Sequence, residues 1–284
     1  MKMYAAISRS KPPIPLQRLR GSARVCFAGR ENRLTDLYQT NPCRVFLPRR
    51  PGGKVEAVLL NTAGGITDGD ELDYAVCTAD GAHVVVTTQA AEKIYRSRGD
   101  DCLVRNQLQV INGAFLEWLP QETILFDGAV LTRKIDIRVD TDSRLLAMDW
   151  LILGRLARGE HLRQAAIHDQ WRLRRDSQLI WADDFRLNGD VEALCHRRSL
   201  LDGAHAIATI IYVAPDAPDL LETARCALQK AVCRAGVSER TGQLICRFLG
   251  PDDISLRRDV EAFLATFRAA LYGHPAPLPR VWAC

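Results

Sequence analysis

Two hydrophobic rhythms divide this chain. In the first two thirds, short apolar runs recur at residues 55–61, 72–78, 83–88, 103–110, 114–119, 130–139, 170–174 and 178–187. Several are β-branched or alternate apolar with polar positions, the period-two pattern of half-buried strands. Asp80-Gly81, Asn112-Gly113, Asp127-Gly128, Asn188-Gly189 and Asp202-Gly203 each precede or separate short β-prone runs. Such dipeptides accept the positive φ angles of tight hairpin turns. Four continue as Asx-Gly-Ala, but spacings of 32, 15 and 75 residues fit no fixed-period repeat. The pattern predicts a β-rich body.

The last 70 residues change period. Leu220, Leu221, Ala224, Leu228, Ala231 and Val232 share one face at helical spacing, with Asp216 or Asp219 available to cap the start and Gly236 the end. Leu256, Val260, Phe263, Leu264, Phe267 and Leu271 form a second helical face closed by Gly273. Residues 244–249 between them read as a strand. The tail, residues 274–284, carries three prolines and ends Leu278-Pro279-Arg280-Val281-Trp282. With no convincing linker, one domain is expected.

Composition narrows the class. An apolar share of 47% and a charged share of 25% are ordinary for a soluble globular protein. The longest apolar run, 145–153, is broken by Asp149 and falls short of the roughly 18 residues a membrane helix needs. The N-terminus lacks a secretory apolar region, so a cytoplasmic protein is expected. Nine cysteines, an odd count with no Cys-x-x-Cys pair, argue against a disulfide framework and a structural zinc site. Charge is unevenly spread: residues 1–54 hold twelve Lys/Arg against two Asp/Glu, while the whole chain is only +4. A basic front on a mildly acidic body suits nucleic acid, a membrane surface or an acidic protein.

Enzyme signatures are missing. There is no P-loop, no Gly-x-Ser-x-Gly elbow and no His-Glu-x-x-His helix. The six histidines form no pair at metal-ligand spacing except His161 and His168, seven apart, and Cys195-His196 is the single adjacent soft-ligand pair. Four segments are chemically richer. Gly64-Gly65-Ile66-Thr67-Asp68-Gly69-Asp70-Glu71 gathers glycines and carboxylates, an oxygen-rich set that suits divalent cations but is not an EF-hand. Thr87-Thr88-Gln89-Ala90-Ala91-Glu92-Lys93-Ile94-Tyr95-Arg96-Ser97 concentrates polar residues after a β-run. Pro120-Gln121-Glu122 forms a polar turn between aromatics. Asp149 lies inside an apolar stretch before Gly154-Arg155 and Gly159-Glu160, where a carboxylate must be paired, hydrogen-bonded or pKa-shifted.

In this order, the four segments resemble the UreD (UreH) family of urease accessory proteins. The resemblance rests on Gly64-Gly65 with Gly69-Asp70-Glu71-Leu72, on Thr87-Thr88, Ala90, Lys93, Tyr95, Arg96 and Ser97, and on Leu116-Glu117-Trp118-Leu119-Pro120-Gln121-Glu122. It continues through Ser143-Arg144-Leu145-Leu146-Ala147-Met148-Asp149, Leu153-Gly154-Arg155, Gly159-Glu160 and the Leu278 to Trp282 ending. It runs from about residue 20 to the C-terminus. Asp68 and Glu92 depart from the family pattern, standing where glycine and a small residue are usual.

The resemblance implies a mainly β fold of β-helix-like layered sheets with two C-terminal α-helices. On this view residues 1–20 are a basic extension and residues 21–284 a single domain. It implies a non-catalytic, chaperone-like role in urease maturation and assembly of a multi-subunit complex. The expected partners are apo-urease, UreF and the GTPase UreG, with no nucleic acid and no membrane. No tightly bound cofactor is implied, only nickel passing transiently. Asp70, Glu92, Asp149 and, by looser alignment, Asp183 are the candidates for an acid-lined internal path. Arg96 and Arg155 are the expected counter-ions if these acids only hold the fold. The C-terminal helices and an exposed Trp/Pro tail are candidates for the UreF contact. Two other classes remain open on the residues alone: a hydrolase with a dispersed site, and a nucleic-acid module using the basic front.

Overall fold

The computed structural model of the protein describes residues 17–48 and 55–283, so most of the basic N-terminal extension lies outside the described residues. In chain order the strands begin β1 (Arg20–Ala28), β2 (Arg33–Gln39), β3 (Cys43–Phe46), β4 (Val55–Asn61), β5 (Glu71–Ala79) and β6 (His83–Thr88). They continue as β7 (Glu92–Ile94), β8 (Cys102–Val110), β9 (Phe115–Leu119), β10 (Thr123–Leu125), β11 (Val130–Val139) and β12 (Arg144–Arg155). The last six are β13 (Glu160–His161), β14 (Gln164–Arg175), β15 (Gln178–Asp190), β16 (Ala206–Val213), β17 (Arg234–Glu239) and β18 (Gln243–Gly250). Among the described residues three α-helices are interspersed: α1 (Val191–Cys195), α2 (Leu221–Leu228) and α3 (Asp253–Tyr272).

Two sheets face each other. One has seven strands in the order β15-β14-β11-β8-β5-β1-β2; the other has eleven, with the path β17-β18-β16-β12-β9-β6-β4-β3. β5, β8, β11 and β14 pair in parallel, as do β4, β6, β9 and β12. The chain therefore winds repeatedly between the sheets, as expected for a β-helix-like fold. Asp80-Gly81 and Asn112-Gly113 are not hairpin turns, as the sequence pattern had suggested, but corners where the chain crosses from one sheet to the other. Parallel neighbours exclude a tight hairpin between them. The φ values of Asp80 and Asn112 are 55° each, followed by 75° at Gly81 and 70° at Gly113, so the turn chemistry is used at a different kind of bend.

The corners lock to one another. Asn112 Nδ2 donates to Asp80 Oδ1 at 2.8 Å, the Asn112 amide to Asp140 Oδ2 at 3.2 Å, and the Thr141 amide to Asp176 Oδ1 at 3.2 Å. These partners lie 32, 28 and 35 residues apart, so the coils are stacked without being equal in length. That inequality explains why no fixed period shows in the sequence.

Two cores result. The first fills the space between the sheets, with Val25, Leu72, Val86, Leu116, Ile137 and Leu153 among its buried members. The second lies between the outer face of the eleven-stranded sheet and the helical layer, including Trp150, Tyr212, Phe248, Phe263 and Phe267. β12 serves both and is buried at every position from 145 to 154.

The helices match the sequence pattern at α3 and depart from it at α2. Asp252 caps α3 by accepting from the Ser255 amide at 2.7 Å, and Gly273 closes it at φ 69°. α2 stops at Leu228, and Gly236 lies inside β17 rather than at a helix end. The chain is drawn away because the Val232 and Cys233 amides both donate to Asp259 Oδ2 at 2.7 Å. Asp216 does not cap α2; it accepts from the Tyr212 hydroxyl and pairs with Arg144. Nor is the tail exposed at its tryptophan. Trp282 is 7% exposed, stacks on Trp150 at 5.5 Å and donates Nε1–H to Thr87 Oγ1 at 3.0 Å.

A buried ion pair bolts α3 to the sheet. Glu117 of β9 is fully buried and accepts from Arg268 Nε at 2.5 Å, from the Tyr272 hydroxyl and, when its tautomer allows, from His83 Nε2. Burial by itself raises the Glu117 carboxyl. The His83, Arg268 and Tyr272 bonds, with the Arg268 charge, outweigh it and bring the pKa down to about 2. Arg268→Met is expected to lower unfolding stability by about 3–5 kcal/mol, the usual result of stripping a buried charge of its partner. Urea denaturation of the variant checks this, and an unchanged midpoint would contradict it.

Candidate functional site

Inside the solenoid, strand alternation sends every second side chain toward the facing sheet. On β11 the inward set reads Leu131, Arg133, Ile135, Ile137 and Val139, and on β12 it includes Leu145, Ala147, Asp149, Leu151 and Leu153. On β14 Asp169 falls between Ile167 and Trp171. One arginine and two aspartates thus occupy positions that the alternation reserves for apolar residues.

A pocket of about 140 Å³ opens beside them. Its rim includes the exposed Gly64, Gln89, Ala90 and Lys93, and Glu92 stands just inside. Its depth is walled by Asn106, Trp118, Thr123, Arg133 and Asp149, all buried. This volume has room for several waters. The Trp118 indole N–H is buried on this wall with no hydrogen-bond partner among the described residues.

Arg133 organises the inner end. Its Nε and Nη2 donate to Asp169 Oδ1 and Oδ2 at 2.9 and 2.7 Å, a bidentate fork. Nη1 donates to Asp149 Oδ1 at 2.8 Å and to Thr123 Oγ1 at 2.9 Å. Asp149 Oδ1 also accepts from the Trp150 amide at 2.7 Å. Burial pushes the Asp149 carboxyl above the usual range, against the pull of Arg133 and with the help of the Asp169 charge. The embedded acid is therefore both paired and shifted.

Glu92 governs the outer end. It sits on β7, in register with Thr123 of β10, and accepts from Asn61 Nδ2 at 3.0 Å. Burial pushes its carboxyl up to about 7, with the Asn61 and Lys93 amide bonds opposing.

Asp70 and Asp183 lie elsewhere. Asp70 Oδ1 accepts from the Leu19 amide and Oδ2 from the Thr67 amide at 2.8 and 2.9 Å, so it holds the glycine-rich turn against the chain entering β1. It borders a separate hollow with Arg18, Thr67 and Tyr95. Asp183 of β15 pairs with Arg247 of β18 at 2.8 Å, and neither lines the pocket. Of the four acids expected along one path, the structure brings two together.

The motif residues build the surroundings. Gly65, at φ 149°, lies against Tyr95, where a Cβ would come within 2.5 Å of the ring. The Tyr95 hydroxyl donates to the Gly64 carbonyl at 3.1 Å, and its ring meets Phe126 edge-on. Gly69, at φ 75°, packs under Arg18, which pairs with Asp68 at 3.0 Å. Arg96 pairs with Asp127 at 2.6 Å, and Arg155 pairs with Glu160 while stacking over Phe126. Neither arginine touches the four path acids, so the counter-ions proposed from sequence are replaced by Arg133 and Arg247. Glu122 pairs with Arg257 of α3 at 2.6 Å and gives its carbonyl to the Glu92 amide at 2.9 Å. Lys93 is exposed on the rim. Among the described residues no group of three or more His, Cys, Asp and Glu is arranged to hold a metal ion. Cys195 is buried and His196 exposed, so that adjacent pair is split.

Sequence reading missed Arg133, Asp169, Asn106 and Thr123. The usable signal was phase: after Val130 the apolar positions of 130–139 are 131, 135, 137 and 139, and Arg133 completes their series.

Fold and pocket define the class, a β-solenoid with a helical layer on one outer face and carboxylates inside. Residues 19–283 match the model of the UreD urease accessory protein family. Urease accessory protein UreD of Xanthobacter autotrophicus is 46% identical over 269 residues, covering 94% of this chain and 91% of that protein. Its namesake from Azorhizobium caulinodans is 43% identical over 253 residues, 89% of this chain and 91% of that one. The Brucella suis protein of the same name is 37% identical over 271 residues, 94% and 95% respectively. The chain belongs to the UreD family of urease accessory proteins.

Glu92 has a signature in solution. Because its folded pKa lies above the ordinary 4.5, at about 7, the folded state holds the proton more tightly across that window. Stability then falls as pH rises from about 4.5 to about 7 and is steady beyond it. Glu92→Gln is expected to remove this slope: its melting temperature relative to the parent rises through the window and plateaus above it. Parallel melting curves at all pH values would contradict the assignment.

Proposed function

We propose that this chain serves urease maturation without catalysing a reaction, docking with apo-urease and letting nickel pass through its interior. Membership of the urease accessory family supports the maturation role. The pocket supports the passage, because Glu92 near its rim and Asp149 at its depth offer oxygen donors to one continuous space. Carboxylate, amide and hydroxyl oxygens coordinate nickel more weakly than imidazole or thiolate cages, and the pocket lining contains neither histidine nor cysteine. Weak donors favour transit over capture.

Partners complete the reading. UreF and the GTPase UreG are the expected companions in a cytoplasmic pre-activation complex, with UreG supplying the nucleotide hydrolysis for which this chain has no P-loop. The outer surfaces of α2 and α3, including the exposed Ile254, suit the UreF contact. Trp282 does not, being committed to Trp150 and Thr87. No described helix is long and apolar enough to cross a membrane.

Asp149→Asn tests the passage. It keeps the side-chain volume, whereas Asp70→Ala would also free two backbone amides. In a reconstituted activation assay with apo-urease, the companions and nickel, the variant is expected to assemble normally and to lower urease activation at least severalfold. Full activation by an assembled Asp149→Asn complex would defeat the transit reading.

A further inference from the structure

We infer that Arg133 is a tethered counter-cation standing in the metal's place, so that a divalent ion bridges Asp149 and Asp169 only by displacing its guanidinium. The inference rests on the transit reading for its biological meaning and on the geometry for its chemistry. Arg133 is fully buried and spends three guanidinium nitrogens on two buried carboxylates, with Thr123 as a further acceptor. A guanidinium is always charged and accepts nothing, so it cannot leave this role by titration. It leaves by moving.

Charge matching sets what replaces it. When both are ionised, Asp149 and Asp169 carry two negative charges, and one guanidinium offsets a single charge. A divalent ion offsets both, while a monovalent ion gains nothing over the arginine already present. Asp149 has an opening for this exchange: its Oδ1 is engaged by Arg133 and the Trp150 amide, whereas Oδ2 accepts no hydrogen bond among the described residues. Because the guanidinium is tethered to β11, it returns at high effective concentration as soon as the ion moves on. Arg133 thus selects divalent over monovalent cations and prevents the pocket from becoming a store.

The experiment removes the tethered cation. Full-length parent and Arg133→Met are equilibrated with nickel chloride in excess potassium chloride, desalted, and assayed for retained nickel by mass spectrometry, alongside equilibrium dialysis. Arg133→Met is expected to bind nickel about 10- to 100-fold more tightly than the parent, the range over which groups contacting a ligand tune metal affinity. The triple variant Arg133→Met/Asp149→Asn/Asp169→Asn is expected to return to parental retention. A folded Arg133→Met, judged by parental circular dichroism and cooperative melting, that binds nickel no better than the parent would overturn the inference. So would a gain that survives in the triple variant. If Arg133→Met does not fold, Arg133→Lys, whose single ammonium lacks the fork, is expected to show a smaller gain, and a folded Arg133→Lys with none overturns the inference equally. These readouts involve no urease. Tight retention by Arg133→Met together with full activation by Asp149→Asn would leave the exchange standing and remove the transit reading; the reverse pair of results would do the opposite.

Discussion

The inward phase of a solenoid strand is where an ionised side chain is least tolerated, since it faces a second sheet at close range instead of water. Here that phase carries Arg133 on β11, Asp149 on β12 and Asp169 on β14. They persist because the guanidinium's fork answers both carboxylates at 2.7–2.9 Å, a geometry lysine cannot supply. Filling these positions with aliphatic side chains would make a simpler core and close the pocket. The polar layer is therefore the constraint around which the coils are arranged.

Other features follow from keeping that layer intact. Irregular coils are held in step by a corner ladder of Asp80, Asn112, Asp140 and Asp176 rather than by equal lengths. The outer face of the same sheet is sealed by α3 through the Glu117–Arg268 pair and by the C-terminal tail through Trp282. Gln121 links these levels: it lines the pocket and donates to the carbonyls of Gln89 and Val281. The pocket, α3 and the C-terminal tail thus meet at the Pro120-Gln121-Glu122 turn.

Much of this was legible in the residues. β4, β6 and β11 coincide with the runs read from alternation, and α3 ends at the glycine that its face pointed to. β12 and β16 were not recognised as strands because burial on both faces erases alternation, leaving an apolar run that length and period cannot assign. The corners were mistaken for hairpins because Asx-Gly chemistry reports backbone φ and not which strand lies next door. Of the four acids that family resemblance set along one path, the structure lines one pocket with Glu92 and Asp149, while Asp70 and Asp183 stand at other joints, where amide bonds and Arg247 occupy them. Arg133 escaped notice since a lone basic residue in a strand is ordinarily solvated.

Whether the interior receives metal is open to direct observation. Crystals of the chain with its companions, soaked in nickel and measured at the nickel absorption edge, locate the ion without relying on activity. An anomalous peak inside the pocket, between Glu92 and the Asp149–Asp169 pair, is the result this account requires. Occupied nickel sites confined to the outer surface, with the pocket showing none at saturating metal, would contradict it.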